Sequence, residues 1–265
     1  MNKEKGSQTE PMTVLVIQGR KSEHRVQEEQ KKLQGLAAPS GVQLQFVNPL
    51  LEDDQLWTEP KKLLKGKKAI LFTGSADLDL TVDTPERNLY VSRVSSLAKE
   101  SIKKGSKRFN PLQVFGICLG HQLLHQVAGG KVERDASLKE TGTGRIRLTR
   151  KGVKDPFLVD VPLTKDMQEK FGFFEIFAHK DTVVKRGKGF KKLGGTERDK
   201  YSLTRKRGIF TTQGHPEITD AKNLQDIVQR ANQNQAIEGY EHSYPLTDTP
   251  GADMLLVNFF NKAAS

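Results

Sequence analysis

A chain of 265 residues carrying 43 Lys and Arg against 32 Asp and Glu, net charge +11, is long enough for one large domain or two small ones. Its single cysteine excludes a disulfide framework and fits a reducing compartment. No stretch approaches the roughly 18 consecutive apolar residues of a membrane span, and the polar opening MNKEKGSQTEP lacks the apolar core of a secretory signal. A cytoplasmic protein is expected, with the nucleus as the alternative. The basic excess is concentrated at Lys61–Lys68, Lys103–Arg108, Lys185–Lys192 and Arg198–Arg207. Such runs can hold a polyanion through its phosphates, but they fall in turns without the interleaved aromatics of a stacking platform. They read as solvated surface.

In chain order, residues 1–12 are expected to be a disordered tail and 13–265 a single domain. Thr13 to Ile17 (TVLVI) predicts a first strand, and the polar segment Lys21 to Leu36 a solvent-exposed helix. Val42 to Val47 alternates polar and apolar residues, which suits a strand near a sheet edge. After a mixed connection, Lys68 to Thr73 predicts a third strand, and Leu89 to Lys103 a helix with one apolar face. This alternation of strand and helix is the pattern of a parallel sheet covered on both faces. Beyond Lys131 come short strand candidates at Lys131–Arg134, Arg145–Thr149, Phe173–His179, Lys191–Gly195 and Ile209–Gln213, which read as appended antiparallel material. Helices are expected at Thr219–Asn232 and Ala252–Lys262.

Between the two halves lies Leu112 to Ala128, LQVFGICLGHQLLHQVA. An apolar run breaks at Gly116-Ile117-Cys118-Leu119-Gly120 and resumes at helical spacing until Gly129-Gly130. A strand meeting a helix with one nucleophilic residue at the corner and glycines two positions away on each side is a nucleophile elbow. A side chain at either glycine would crowd the turn. The corner also places Cys118 at a helix N-terminus, which favours thiolate over thiol.

A cysteine nucleophile needs an oriented base. Of the six histidines, His24 and His242 lie in polar surroundings, His121 and His125 on the elbow helix, and His179 at a strand end. His215, in Gln213-Gly214-His215-Pro216-Glu217, follows an apolar run and so stands at the sheet edge where catalytic groups gather. Glu217, two residues on, can hold its imidazole as in a triad. The Gly142–Gly144 segment does not run strand into helix as a phosphate loop requires.

GICLGHQ at Gly116 to Gln122 and QGHPE at Gln213 to Glu217 resemble the paired signatures of class I glutamine amidotransferases, with TGS at Thr73–Ser75 and AHKD at Ala178–Asp181 closest to stand-alone members such as γ-glutamyl peptidases. The resemblance runs from about Lys68 to Arg230. It implies a flavodoxin-like α/β fold, with an open, mostly parallel sheet, helices on both faces and an appended antiparallel segment. It further implies Cys118 as nucleophile, His215 as general base and acid, and Glu217 as its orienting carboxylate. The backbone N–H groups of Ser75 and Leu119 would form the oxyanion hole. Gly74, Gln122 and the His179 loop would border the glutamyl group. Gly74-Ser75 stands where many members have two glycines, so the Cβ of Ser75 is expected to narrow the approach.

The implied chemistry cleaves glutamine or a γ-glutamyl peptide through a thioester, with no metal or organic cofactor. The alternatives are a glutaminase subunit that delivers ammonia to a separate synthetase, and a non-catalytic relative that binds RNA or another polyanion through its basic surface.

Overall fold

The computed structural model describes residues 12–223, 225 and 244–265. The expected tail (apart from Met12), most of the expected helix at 219–232, and His242 lie outside the described residues. The strands are β1 (Thr13–Ile17), β2 (Gln43–Val47), β3 (Ala69–Phe72), β4 (Gln113–Ile117), β5 (Lys131–Arg134), β6 (Glu140–Leu148), β7 (Thr164–Lys165), β8 (Phe171–His179), β9 (Asp181–Lys185), β10 (Lys191–Gly195), β11 (Leu203–Lys206) and β12 (Ile209–Thr212). Ten of them form one sheet in the order β2-β1-β3-β4-β12-β11-β10-β6-β8-β7, while β5 and β9 pair separately.

The first five strands in that order run parallel. The sequences of β1, β3 and β4 are near-continuous apolar runs because both faces are covered. On β1, Val14 and Val16 join the core that holds Leu33 of the helix Glu23–Ala37 and Leu255 and Phe259 of the helix Met254–Ala264. Leu15 and Ile17 face the other way, onto Tyr90 and Val94 of the helix Pro85–Gly105 and Leu123 and Leu124 of the elbow helix Leu119–Val127. β2 is the edge strand, and its outward residues are exposed at alternate positions. The helix Pro85–Gly105 begins earlier than its apolar periodicity suggests, because Thr84 caps it by accepting the Arg87 N–H and Pro85 occupies its first turn.

The antiparallel strands continue the same sheet. The β11–β12 hairpin turns the direction, since β12 pairs antiparallel with β11 and parallel with β4. Strands β7, β9 and β11 carry no apolar run, and β6 starts at Glu140 rather than Arg145. The early part of β6 buries Glu140, Thr141 and Thr143, and the Glu140 carboxylate and Thr143 hydroxyl bond partners within the fold while the Thr141 hydroxyl has none among the described residues. Gly142 of β6 has φ +118°, and a Cβ there would lie 2.3 Å from the Tyr244 carbonyl oxygen.

The elbow depends on two glycines. A Cβ on Gly116 would lie 2.7 Å from Leu124 Cδ1 and 3.0 Å from the Gly120 carbonyl carbon, and one on Gly120 would lie 2.3 Å from the Phe72 carbonyl oxygen. Their absence lets the elbow helix rest directly on β3 and β4. In an exposed helix interior, Gly→Ala gains about 1 kcal/mol. Here Gly120→Ala should instead lower the thermal midpoint and displace Cys118, because the obstacle is strand backbone. An unchanged midpoint by circular dichroism would contradict this packing.

Candidate catalytic site

Cys118 joins β4 to the elbow helix with φ 45° and ψ −101°. For a residue with a Cβ this conformation costs on the order of 1–3 kcal/mol. Two backbone bonds hold it: the Cys118 N–H donates to Thr212 O (2.9 Å), and Gln122 N–H donates to Cys118 O (3.0 Å). The residue is only 4% exposed, and Gln213 Nε2 donates to its Sγ at 3.5 Å.

His215 follows β12, anchored by its N–H on Ile176 O (2.8 Å). Its Nδ1 lies 2.8 Å from Glu217 Oε1, which leaves the other ring nitrogen for a second partner, and Cys118 acts electrostatically on the ring. A Cβ added to Gly74 would lie 2.7 Å from His215 Cε1 and 3.2 Å from Cys118 Cβ, so sulfur-bearing and imidazole side chains converge on one bare backbone. The structure thus brings Cys118, His215, Glu217 and Gly74 together at the carboxyl ends of β3, β4 and β12.

The electrostatics separate two carboxyl groups around this imidazole. Burial disfavours a charged His215, but Glu217 and Cys118 outweigh it and raise the ring to about 10. Burial also works against an ionised Glu217, yet His215 and the Arg20 guanidinium hold its pKa below the ordinary value. Glu175 of β8 goes the other way. Burial raises it to about 8 although Thr212 Oγ1 donates to its Oε2 at 2.6 Å, and its Oε1 is buried without a partner.

Behind Arg20, Glu29 of the helix Glu23–Ala37 accepts from Gln18 Nε2 (2.6 Å), Arg20 Nε (3.1 Å) and Thr73 Oγ1 (3.2 Å). This buried carboxylate ties the ends of β1 and β3 together. It sits in a helix expected to be solvent-exposed, and no apolar periodicity marks it.

The Ser75 hydroxyl donates to Gly19 O (2.5 Å) and accepts the Asp77 N–H (2.9 Å), so the side chain fixes the loop to the end of β1. Among the described residues, the Ser75 and Leu119 N–H groups have no hydrogen-bond partner, the latter because it opens a helix. Gln122 Nε2 donates to Asp181 O (2.7 Å) and Gln213 Oε1 (3.2 Å), which orients the amide that reaches the sulfur. His179 is buried, with Nε2 3.0 Å from Glu140 Oε2 and Nδ1 3.1 Å from Asp181 O, and it meets the site through that carbonyl. His121 and His125 are core residues joined through Thr211 and Thr204, and burial, with neighbouring cations and rings, keeps both neutral. Gln213 belongs to the motif at Gln213–Glu217, but nothing in its spacing pointed to the sulfur. Glu175, thirty-odd residues upstream on another strand, carried no local signal at all.

The family model for glutamine amidotransferase class-I matches residues 90–234, more than half of the chain. The chain is similar to a glutamine-hydrolyzing GMP synthase of Blochmanniella pennsylvanica, 28% identical over 122 residues, which is 45% of this chain and 23% of that protein. It is also similar to a glutamine amidotransferase-like protein of Schizosaccharomyces pombe, 27% identical over 57% of this chain and 53% of that one. With a subunit of the glutamine-hydrolyzing GMP synthase of Sulfurisphaera tokodaii it shares 26% identity over 60% of this chain and 72% of that one. The chain therefore spans about a quarter of the first relative named and about half of the second. Among solved structures, a glutamine amidotransferase from Thermotoga maritima has the same fold, with a TM-score of 0.61 at 14% identity over 97% of this chain and 100% of that chain.

Both His215 and Glu175 hold a proton more tightly folded than unfolded, so each stabilises the fold below its unfolded value and loses that contribution as pH rises through its folded one. For Glu175 the window lies between its ordinary 4.5 and about 8. Glu175→Gln should flatten the fall of the thermal midpoint across that window. An unaltered slope would show that Glu175 is not a neutral buried acid.

Proposed function

The chain belongs to the class I glutamine amidotransferase family, and from that premise we propose that it cleaves the γ-glutamyl amide or peptide bond through a thioester on Cys118. The observation that carries the reading is the convergence of Cys118, His215 and Glu217 over the bare backbone of Gly74.

The Cys118 sulfur attacks the γ-carbonyl carbon, and the carbonyl oxygen takes up the negative charge. The unpartnered N–H groups of Leu119 and Ser75 receive it. As the tetrahedral carbon collapses, His215 protonates the departing amine and the carbon–nitrogen bond breaks, leaving a γ-glutamyl thioester. His215, now neutral, takes a proton from water. The resulting hydroxide adds to the thioester, and glutamate leaves as the sulfur regains its electron pair. Glu217 keeps the imidazole oriented and stabilises its charged form in both halves. Gly74 leaves room for the acyl group, Gln122 flanks it while orienting Gln213, and His179 supports that wall through Asp181. No helix among the described residues is long and apolar enough to cross a membrane, and we place the enzyme in the cytoplasm.

A second reading, a glutaminase subunit that passes ammonia to a separate synthetase, is favoured by the similarity to a protein named as one subunit of a GMP synthase. Purified protein assayed alone on glutamine and on γ-glutamyl dipeptides separates the two. A free-standing enzyme turns over at least one of them, whereas a subunit is nearly silent on both until its synthetase is supplied. In either case Cys118→Ser should lower turnover by several orders of magnitude, about 10⁶-fold in a comparable triad. Turnover that survives this change would refute the assignment.

A further inference from the structure

The basic runs at 103–108 and 198–207 are far apart in the chain but meet in one cleft of about 360 Å³. Lys107, Arg108, Arg205, Arg207 and Lys262 line it, together with Gln113. Gln113 opens β4, and the cleft's Gly208 immediately precedes β12. Cys118 and Gln213 follow the far ends of those two strands, so the cleft lies at the opposite pole of the sheet from the catalytic site.

Its charge is only partly neutralised. Arg205 pairs with Asp155, and Arg207 Nη1 donates to Ser106 O at 3.0 Å. Lys107, Arg108 and Lys262 have no carboxylate partner among the described residues, and none of the lining residues is acidic. Two features make this concentration costly to the fold. Arg205 stands directly opposite Lys191 across the β10–β11 pair, where like charges destabilise. Arg207 has φ 53° in the turn between β11 and β12, a left-handed conformation in which glycine would be unstrained. The turn needs no side chain there, and the strained residue is a cation facing the cleft.

Two further features point beyond a simple anion. Gln113 donates through Nε2 to Pro111 O at 2.9 Å, while its Oε1 is a buried acceptor with no donor. The guanidinium of Arg108 lies 5.4 Å from the ring centre of Phe109, which is 77% exposed. Cations suit phosphates, an exposed ring beside a guanidinium suits the face of a base, and an unfilled acceptor suits an N–H or O–H donor. The volume is within the range of small-ligand sites, roughly 300–1,000 Å³.

We propose that this cleft binds a nucleoside phosphate, either as a free nucleotide or as part of a single strand. The test uses the full chain with ATP, adenosine and inorganic phosphate by calorimetry, and a fluorescein-labelled single-stranded RNA by anisotropy, at low and physiological salt. ATP or the RNA should bind with an affinity that falls as salt rises, and adenosine and inorganic phosphate should each bind at least about tenfold more weakly, since each makes only part of the contacts. Tighter binding of the RNA than of ATP assigns the phosphate to a strand, and the reverse to a free nucleotide. Arg207→Gly should weaken binding at least about tenfold while leaving alkylation of Cys118 unchanged and the thermal midpoint equal or higher, because glycine relieves the turn. If neither ATP nor RNA binds, or if both bind Arg207→Gly as tightly as the native chain, the proposal is wrong.

Discussion

The pairing of β4 with β12 is the constraint on which the site depends. Ile117 is opposite Thr212 in a parallel register, and the Cys118 N–H donates to the Thr212 carbonyl as the ladder's last rung. That bond holds the strained cysteine and starts the segment Gln213–Glu217 at the same edge. A slip of one residue would turn Thr212 and everything after it to the other face of the sheet. The imidazole would then leave the sulfur. The covered apolar faces of β4 and β12 forbid such a slip, so the core that stabilises the fold also sets the geometry of the chemistry.

The same burial that fixes these side chains divides their charges. Glu217 and Glu175 are both buried and both feel His215, yet one is held ionised and the other protonated. The difference lies in their partners. Each keeps one buried oxygen without a partner among the described residues, but Glu217 has the imidazole at 2.8 Å and Arg20 nearby, whereas the partner of Glu175 is a single hydroxyl. Arg20 is in turn kept in place by Glu29, which also holds Gln18 and Thr73. The carboxylate at the far end of this network therefore supports the one beside the imidazole, at the junction of β1, β3 and the first helix.

What was legible in the sequence follows from how local each signal is. TVLVI, KAILFT and LQVFGI are apolar enough to mark strands buried on both faces, and the glycines around Cys118 mark the elbow because only they fit against Phe72 and Leu124. His215 and Glu217 were legible because two residues of one short motif carry them. Glu29 and Glu175 were not, since a carboxylate on a polar helix or in an aromatic strand looks solvated until its long-range partners are known. The polar start of β6 was hidden for a related reason: its buried Glu140 accepts from Thr196 and Tyr244 and pairs with His179, and Thr143 bonds Thr247, instead of following an apolar alternation. The basic runs were visible as runs, but only folding brings two of them to a single cleft.

The central claim is that Cys118 is the sulfur that receives the γ-glutamyl group, with His215 as its proton carrier. The most direct measurement is stoichiometric labelling with an electrophilic glutamine analogue, followed by mass mapping of the modified peptide. The account predicts one adduct per chain, on the peptide containing Cys118, formed far more slowly in His215→Ala. No adduct on Cys118, or labelling as fast without the imidazole as with it, would contradict it.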